Sequence, residues 1–572
     1  MMDMYRTRKG RSLVVVGDPS LLTLDRLARV RDRFDDDARI ATVSLVPGGT
    51  SGTFLRATAP TGCVIVASAD VIDLVGGIDE DLAGWARRSS DHGLWHDWLL
   101  DDGQDVARAA TLVPPGEMDL LESVEPSSSH FGISPESVAP IASNTPISMV
   151  VDITWLGPEQ TGAQVLTTAA LEALARNEHI SKLTLVGRAD LPVYAAHLLD
   201  HESIECAPAP TVPADVVWYP NQIDQRSSIA HARDWGRRVI TTYLDLIAYD
   251  IPRYHATSTA WAAYRSLQRK IALSVDGITT ISADVAQRLC MEVPTLDRHR
   301  VRAIPLGLDH LKPEHVSESP DPRDDGQLNE LATAGRRFLL VLGNDFRHKN
   351  RDLAIRIWRD VLAAGEDCDL VLAGLHVKSS SSREAERAAL AEADPVSPPP
   401  QAGAGVGRAI VVGHVTERTR AWLLAHAAVV LYPSSAEGFG FIPYEAAALG
   451  TPATFTSFGP LAEISHVTDG PNSWTRAAYV DDVLTLLRDE GQRKARVDAL
   501  RSAIERHTWA DFATELVDFA RLISVMPPAA DMTAMSGSVD AAALAAVLSS
   551  RTWRVTEPLR AAGRALRRLR RG

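Results

Sequence analysis

Twice along this chain, short apolar runs alternate with helical stretches, and this repeated rhythm limits the fold more than any other feature. The first block reads SMVVDITW, the loop GPEQTGAQ, the helical LTTAALEALAR, then KLTLVG, DVVWYP, RVITTYL and GITTIS, with a helical segment at 260–273 among them. The second reads RFLLVLGN, a helix at 352–363, DLVLAG, a helix near 382–393, AIVVGHV, a helix at 417–426, AVVLYPSS and a helix at 443–449. Strands alternating with helices imply a parallel sheet covered on both faces. The expected class is therefore α/β, with two Rossmann-like doubly wound domains. Ligands of such sheets sit beyond the carboxyl ends of the strands, so two domains facing one another enclose a cleft.

A chain of 572 residues is too long for one growing core. Ser/Pro-rich or acidic stretches at 127–146 and 313–330 read as linkers, and 378–407 as a surface insertion. The expected division is an N-terminal module at 1–125, a linker at 126–146, the first doubly wound domain at 147–310 and a linker at 311–335. The second domain follows at 336–525 and a tail at 526–572.

The net charge of −14 conceals a basic end: 551–572 holds eight arginines against one glutamate, a local +7. The acidic body argues against a general nucleic-acid binder. Four scattered cysteines, without CxxC spacing, suit a reducing cytoplasm. The start, MMDMYRTRKGRSLVVVGD, has too short an apolar run for a signal peptide, and Asp18 interrupts it. No stretch offers the 18 or so apolar residues that a spanning helix needs. A cytoplasmic location is expected, with any membrane contact at the periphery of the inner face.

The most informative segment is 432–452, YPSSAEGFGFIPYEAAALGTP. A strand ends there in a Gly-rich turn, and a helix is expected from Pro443, because proline suits a helix start. Gly438 and Gly440 let backbone amides approach a ligand, and free N–H groups at the helix start suit a diphosphate. Glu437 and Glu445, with seven residues between them, can accept hydroxyls at two ends of an elongated sugar nucleotide. Taken singly, Arg347, His348 and Lys349 read as a solvated turn, and Glu445 as a first-turn acid favoured by the helix dipole. The place of the basic trio after RFLLVLGN, and the pairing of Glu445 with Glu437, favour function. His348, His376, His414 and His466 lack metal-ligand spacing and read as structural or exposed.

This segment resembles the EGFG...E motif of the family 4 retaining glycosyltransferases, and its neighbours match in order. Residues 152–164 resemble the first Gly loop of that family, GNDFRHKN at 343–350 its phosphate-gripping loop, 413–415 the loop beside the base, and HTW at 507–509 its closing helix signal. The likeness covers roughly 147–523. It implies the GT-B fold and a reaction without a metal or other cofactor, in which a nucleotide-diphosphate sugar is co-substrate and the acceptor is a glycan or lipid-linked glycan.

Carried over, the resemblance implies that Glu437 contacts the donor sugar, that amides from Gly438 through Phe439 and Gly440 to Phe441 hold the donor, and that Glu445 binds the ribose. Lys349 with Arg347 would neutralise the diphosphate, with Gly162, Asn344 and Val415 also lining the donor site and Asp245 on the acceptor side. GDP-mannose is the first donor implied, with dTDP- and UDP-sugars as alternatives. Two positions depart from the pattern. In TYLDLIAYDIPRYH, the stretch that usually reads HDL has Leu244 at the histidine position. Asn344 stands where some subfamilies carry arginine. Leu244 keeps a non-catalytic scaffold in a glycan-assembly complex open as a second reading.

Residues 11–122 resemble an eroded part of a family 2, GT-A transferase, with Asp18 as a lone carboxylate, which cannot build an octahedral oxygen site. The end, RTWRVTEPLRAAGRALRRLRRG, resembles a short ending of polysaccharide-assembly transferases. Leu559, Ala562, Leu566 and Leu569 share one helical face and arginines the rest, as in a basic amphipathic helix at an anionic membrane. A solvated charged terminus is the alternative.

Overall fold

A computed structural model describes the backbone of six N-terminal strands and residues 145–529 apart from short gaps, chiefly 158–161, 312–315 and 393–405. Asp18, residues 158–161 of the first Gly loop and the tail at 551–572 lie outside the described residues.

The N-terminal strands are β1 (Met4–Arg6), β2 (Ser12–Gly17), β3 (Ile40–Val46), β4 (Thr53–Ala57), β5 (Val64–Ser68) and β6 (Trp95–Leu100). They form a mixed sheet in the order β1-β2-β5-β3-β6-β4, in which β3 and β6 run parallel and the other pairs antiparallel.

The rest of the described chain forms two Rossmann-like domains, each built on a parallel sheet. Strands β7 (Ile147–Asp152), β8 (Ile180–Val186), β9 (Ile204–Cys206), β10 (Ala214–Tyr219), β11 (Gly236–Tyr243), β12 (Gly277–Thr280) and β13 (Val301–Ala303) make a parallel sheet, ordered β13-β12-β11-β10-β7-β8-β9. Strands β14 (Phe338–Leu342), β15 (Asp369–Ala373), β16 (Ala409–Val412), β17 (Val429–Tyr432) and β18 (Ala453–Phe455) make a second, ordered β16-β15-β14-β17-β18. The strands β14, β15 and β17 are buried along their whole length, which is why they read as unbroken apolar runs rather than alternating ones. In each sheet the winding reverses once, between β7 and β10 and between β14 and β17. The loops leaving the strands at such a reversal diverge and open a crevice. In the second sheet those loops are 343–350 and 433–441, the two stretches carrying the motif residues.

The helix Ile442–Ala448 begins one residue before the expected proline, with Pro443 in its first turn, where a missing N–H costs nothing. Helices Arg351–Ala363 and Glu417–His426 lie where the sequence periodicity puts them. Among the described residues, no helix is long and apolar enough to cross a membrane.

The helix Trp509–Val525, inside the second domain's stretch of sequence, crosses back to the first sheet. Thr508 caps it by accepting from the Asp511 amide at 3.0 Å, and the Trp509 amide donates to the Asp309 carboxylate at 2.9 Å. Its apolar face covers β10 and β12: Phe512 packs on Trp218, and Phe519 and Ile523 lie against Gly277. Arg238 ties down the far end through the Ile523 and Met526 carbonyls.

The crossing demands a glycine at 307, where a Cβ would stand 2.4 Å from the Trp509 backbone nitrogen. Gly307→Ala is expected to cost about 3 kcal/mol, the upper end of overpacking penalties. A chemical-denaturation midpoint equal to that of the wild type would contradict this account of the crossing.

Candidate functional site: an interdomain cleft with a basic loop and unpaired amides

The turn 437–441 is placed by contacts that a larger residue would prevent. A Cβ on Gly438 would lie 1.8 Å from the Leu244 carbonyl oxygen and 3.1 Å from the Asp245 Cβ. The turn of one domain is thus pressed against the loop after β11 of the other. The Ser282 hydroxyl donates to the Gly438 carbonyl at 2.9 Å, fixing the contact. Gly440 takes φ 86°, a conformation that favours glycine, and a Cβ there would lie 2.8 Å from Leu461 Cδ2. Phe439 is buried between Phe441 and Tyr444, so only its backbone can face a ligand.

Between Glu437 and Ile442, no backbone amide donates a hydrogen bond to any described residue. Buried or half-buried backbone N–H groups are rarely left unpaired, and consecutive ones form a concavity suited to anions. The amides of Tyr444 and Glu445 already bond to the Phe441 carbonyl, so it is the turn, rather than the seven-residue helix after it, that offers donors.

Lys349 stands at this turn. Its Nζ donates to Glu437 Oε1 at 2.5 Å and to the Tyr432 hydroxyl at 3.0 Å, while Tyr432 donates to the same carboxylate oxygen at 2.6 Å. Burial pushes the Glu437 carboxyl up, but the Lys349 and His348 charges and the Lys349 and Tyr432 hydrogen bonds outweigh it and hold the group below the usual range. Arg347 makes no ion pair among the described residues, and its Nε is buried without a hydrogen-bond partner. A guanidinium left in this way is poised for an anion. The 3-10 turn carrying both cations is closed by Asn350 at φ 50°, whose side chain donates to the Pro433 carbonyl at 2.8 Å and ties this loop to the other loop of the reversal.

Asp245, across the cleft, is pushed up by burial and by the Glu437 charge, against the pull of the Ile247 amide, Arg288 and Lys349. Gln222 braces the loop, accepting from the Leu244 amide and donating to the Asp245 carbonyl. Gly162 lies beside Phe441, 3.5 Å from its ring to where a Cβ would stand. Asn344 is half-buried, its carbonyl accepting from the Phe346 amide. Val415 is buried in the core, which leaves only its backbone to face a ligand.

Sequence reasoning missed several participants. Glu445, expected to receive hydroxyls, has one carboxylate oxygen already paired with Arg420 of helix Glu417–His426. His348, read as structural or exposed, is buried, with Nδ1 2.6 Å from the Tyr254 hydroxyl of the first domain. Tyr432 and Tyr254 carried no signal, because a tyrosine in or after an apolar run reads as core.

Against known proteins, residues 336–489 match the family model described as Glycosyl transferases group 1. D-inositol 3-phosphate glycosyltransferase of Corynebacterium urealyticum is 34% identical over 102 residues, 17% of this chain and 24% of that protein, so the chain spans about a quarter of the relative's length. Among solved structures, the Anabaena protein Alr3699/HepE in complex with UDP and glucose overlaps 66% of this chain and 100% of its own, at 14% identity and a TM-score of 0.44. Sucrose-phosphate synthase from Thermosynechococcus elongatus overlaps 66% and 99%, at 15% identity and a TM-score of 0.46.

The Lys349–Glu437 pair makes stability depend on pH in a definite sense. The Glu437 carboxyl is held lower in the folded protein than in the unfolded chain. Its contribution is therefore complete above the unfolded glutamate pKa and is lost as pH falls through the depressed folded value. Lys349→Met leaves the carboxylate buried without its cation and is expected to cost about 3 kcal/mol at neutral pH. Denaturation midpoints of the two proteins should converge toward acid; a gap constant from neutral to acid pH would refute the pairing.

Proposed function

We propose that this chain is a retaining glycosyltransferase that moves a hexose from a nucleotide-diphosphate sugar to a glycan acceptor in the cleft between its two doubly wound domains. One observation carries the reading: Lys349 stands against a run of amides unpaired among the described residues, at the reversal of the second sheet, with the Arg347 guanidinium, without an ion pair among those residues, two residues away in the same turn. As the bond from the sugar C1 to the diphosphate oxygen breaks, negative charge grows on the departing nucleoside diphosphate. Cations and amides already in place stabilise that charge without reorganising, which is the largest kind of catalytic contribution.

In this reading the acceptor hydroxyl forms its bond to C1 on the face that the diphosphate leaves, and its proton passes to the released phosphate oxygen. Lys349 and Arg347 supply the charge compensation that a metal supplies elsewhere. Glu437, kept ionised, orients sugar hydroxyls, and Glu445, steadied by Arg420, receives the ribose. Asp245 meets the acceptor side. GDP-mannose is the first donor to test, followed by UDP- and dTDP-sugars, with a glycan or lipid-linked glycan as acceptor and a peripheral site at the inner face of a membrane.

The test is a panel of nucleotide sugars examined by calorimetry and turnover. Lys349→Ala is expected to lower kcat by about a hundredfold or more, in line with the loss of one preorganised donor to a developing anion. Arg347→Ala should weaken nucleoside diphosphate binding about tenfold or more. Unchanged turnover in Lys349→Ala would remove the phosphate assignment. Binding by the wild type with no turnover on any acceptor would favour the scaffold reading instead.

A further inference from the structure

The basic loop is not held by its own domain alone. Between Arg347 and Lys349, the His348 ring is buried and its Nδ1 meets the Tyr254 hydroxyl at 2.6 Å. Tyr254 belongs to the first domain, in the short 3-10 turn Pro252–Tyr254 that follows the Leu244–Asp245 loop. Its ring also stacks on Phe346 at 5.4 Å between centroids, and Phe346 stacks on His348 at 5.5 Å. From the other side, the His348 carbonyl accepts from the Ser435 amide at 2.8 Å and from the Ser434 hydroxyl at 3.2 Å, next to the turn at 437–441. His348 is thus clamped between a tyrosine of the first domain and the Gly-rich turn of the second, with one functional cation on either side of it.

We propose that Tyr254 is a positioning residue, an interdomain strut whose hydroxyl, through His348, sets Arg347 and Lys349 in place only while the two domains are closed. The inference rests on the transferase reading for its consequence in rate, though the strut itself is a matter of geometry. Its logic follows from distance. In an open molecule the hydroxyl is withdrawn from His348 Nδ1, and the turn that carries the two cations loses its hold on the first domain. A cation displaced by about 1 Å costs rate far more than it costs ground-state affinity. Charge compensation would then be complete only after the cleft shuts around the donor, which protects the sugar nucleotide from hydrolysis in the open state.

The test uses Tyr254→Phe in the full chain, which keeps the stack on Phe346 and deletes only the hydroxyl. With the donor that the wild type turns over, kcat is expected to fall about tenfold with donor KM nearly unchanged, and with little change in melting temperature. His348→Gln should lower kcat by a similar factor. The double variant should be no worse than either single one, because both remove the same link. A Tyr254→Phe enzyme with wild-type kcat, or multiplicative losses in the double variant, would overturn the proposal. If the wild type turns over no nucleotide sugar, the transferase reading has failed, and the strut is still decided by amide hydrogen exchange. Faster exchange at 346–351 in Tyr254→Phe supports it, whereas identical exchange overturns it.

Discussion

The site depends on one close approach between backbones. Gly438 rests against the Leu244 carbonyl so tightly that any side chain there would have to drive the domains apart. The contact crosses the cleft between the two doubly wound units, and everything functional is arranged around it. It sets the unpaired amides of 437–442 opposite the loop after β11, next to the half-buried pair of Glu437 and Lys349. Ser282 above it, and Glu463, which accepts from the amides of Ala283 and Asp284 at 2.7 and 2.9 Å, hold the second domain to the start of helix Ala283–Glu292. A hydrogen-bonded helix start is a directional anchor, so the domains meet in one orientation rather than merely touching.

Charge is distributed across this contact in a way that structure alone does not require. Lys349 and Glu437 could be replaced by apolar residues of similar volume with little loss of stability, since buried pairs seldom repay their desolvation. A pair kept in a cleft, beside a cation and a row of amides that have no partner among the described residues, is costly unless an anion arrives. The second pair, Arg420 with Glu445, fits the same pattern at the other end of the turn. Arg420 holds one of the carboxylate oxygens, so that the remaining acceptor capacity has a fixed direction.

Much of this was legible in the sequence because it is written locally. Continuous apolar runs marked β14, β15 and β17, and the Gly-rich turn after β17 marked the crevice. The three-residue strands β9, β13 and β18 did not stand out, since so short an edge strand carries too few side chains for a pattern. Nor could helix Trp509–Val525 be assigned to the first sheet: its apolar face is evident in sequence, but what that face covers is decided by the crossing at Gly307. The partners of His348, Glu445 and Leu244 were equally hidden. Each is set by a residue on another element, in two cases on another domain, and side-chain type gives no hint of which tyrosine or arginine will arrive.

The leucine at 244 bears on whether the cleft is a working site. What Leu244 contributes to the interdomain contact is its carbonyl, against Gly438, and its amide, held by Gln222. Both are backbone groups, so the contact does not depend on which side chain occupies the position. The adjoining Asp245 is half-buried within the field of Glu437 and Lys349. Three interacting ionisable groups held together, each at a cost in desolvation, are what a site for binding or chemistry needs and what packing alone does not. The carboxylates, the lysine and the open amides gathered in one site, with leucine at 244, therefore support the proposed transferase over the scaffold reading.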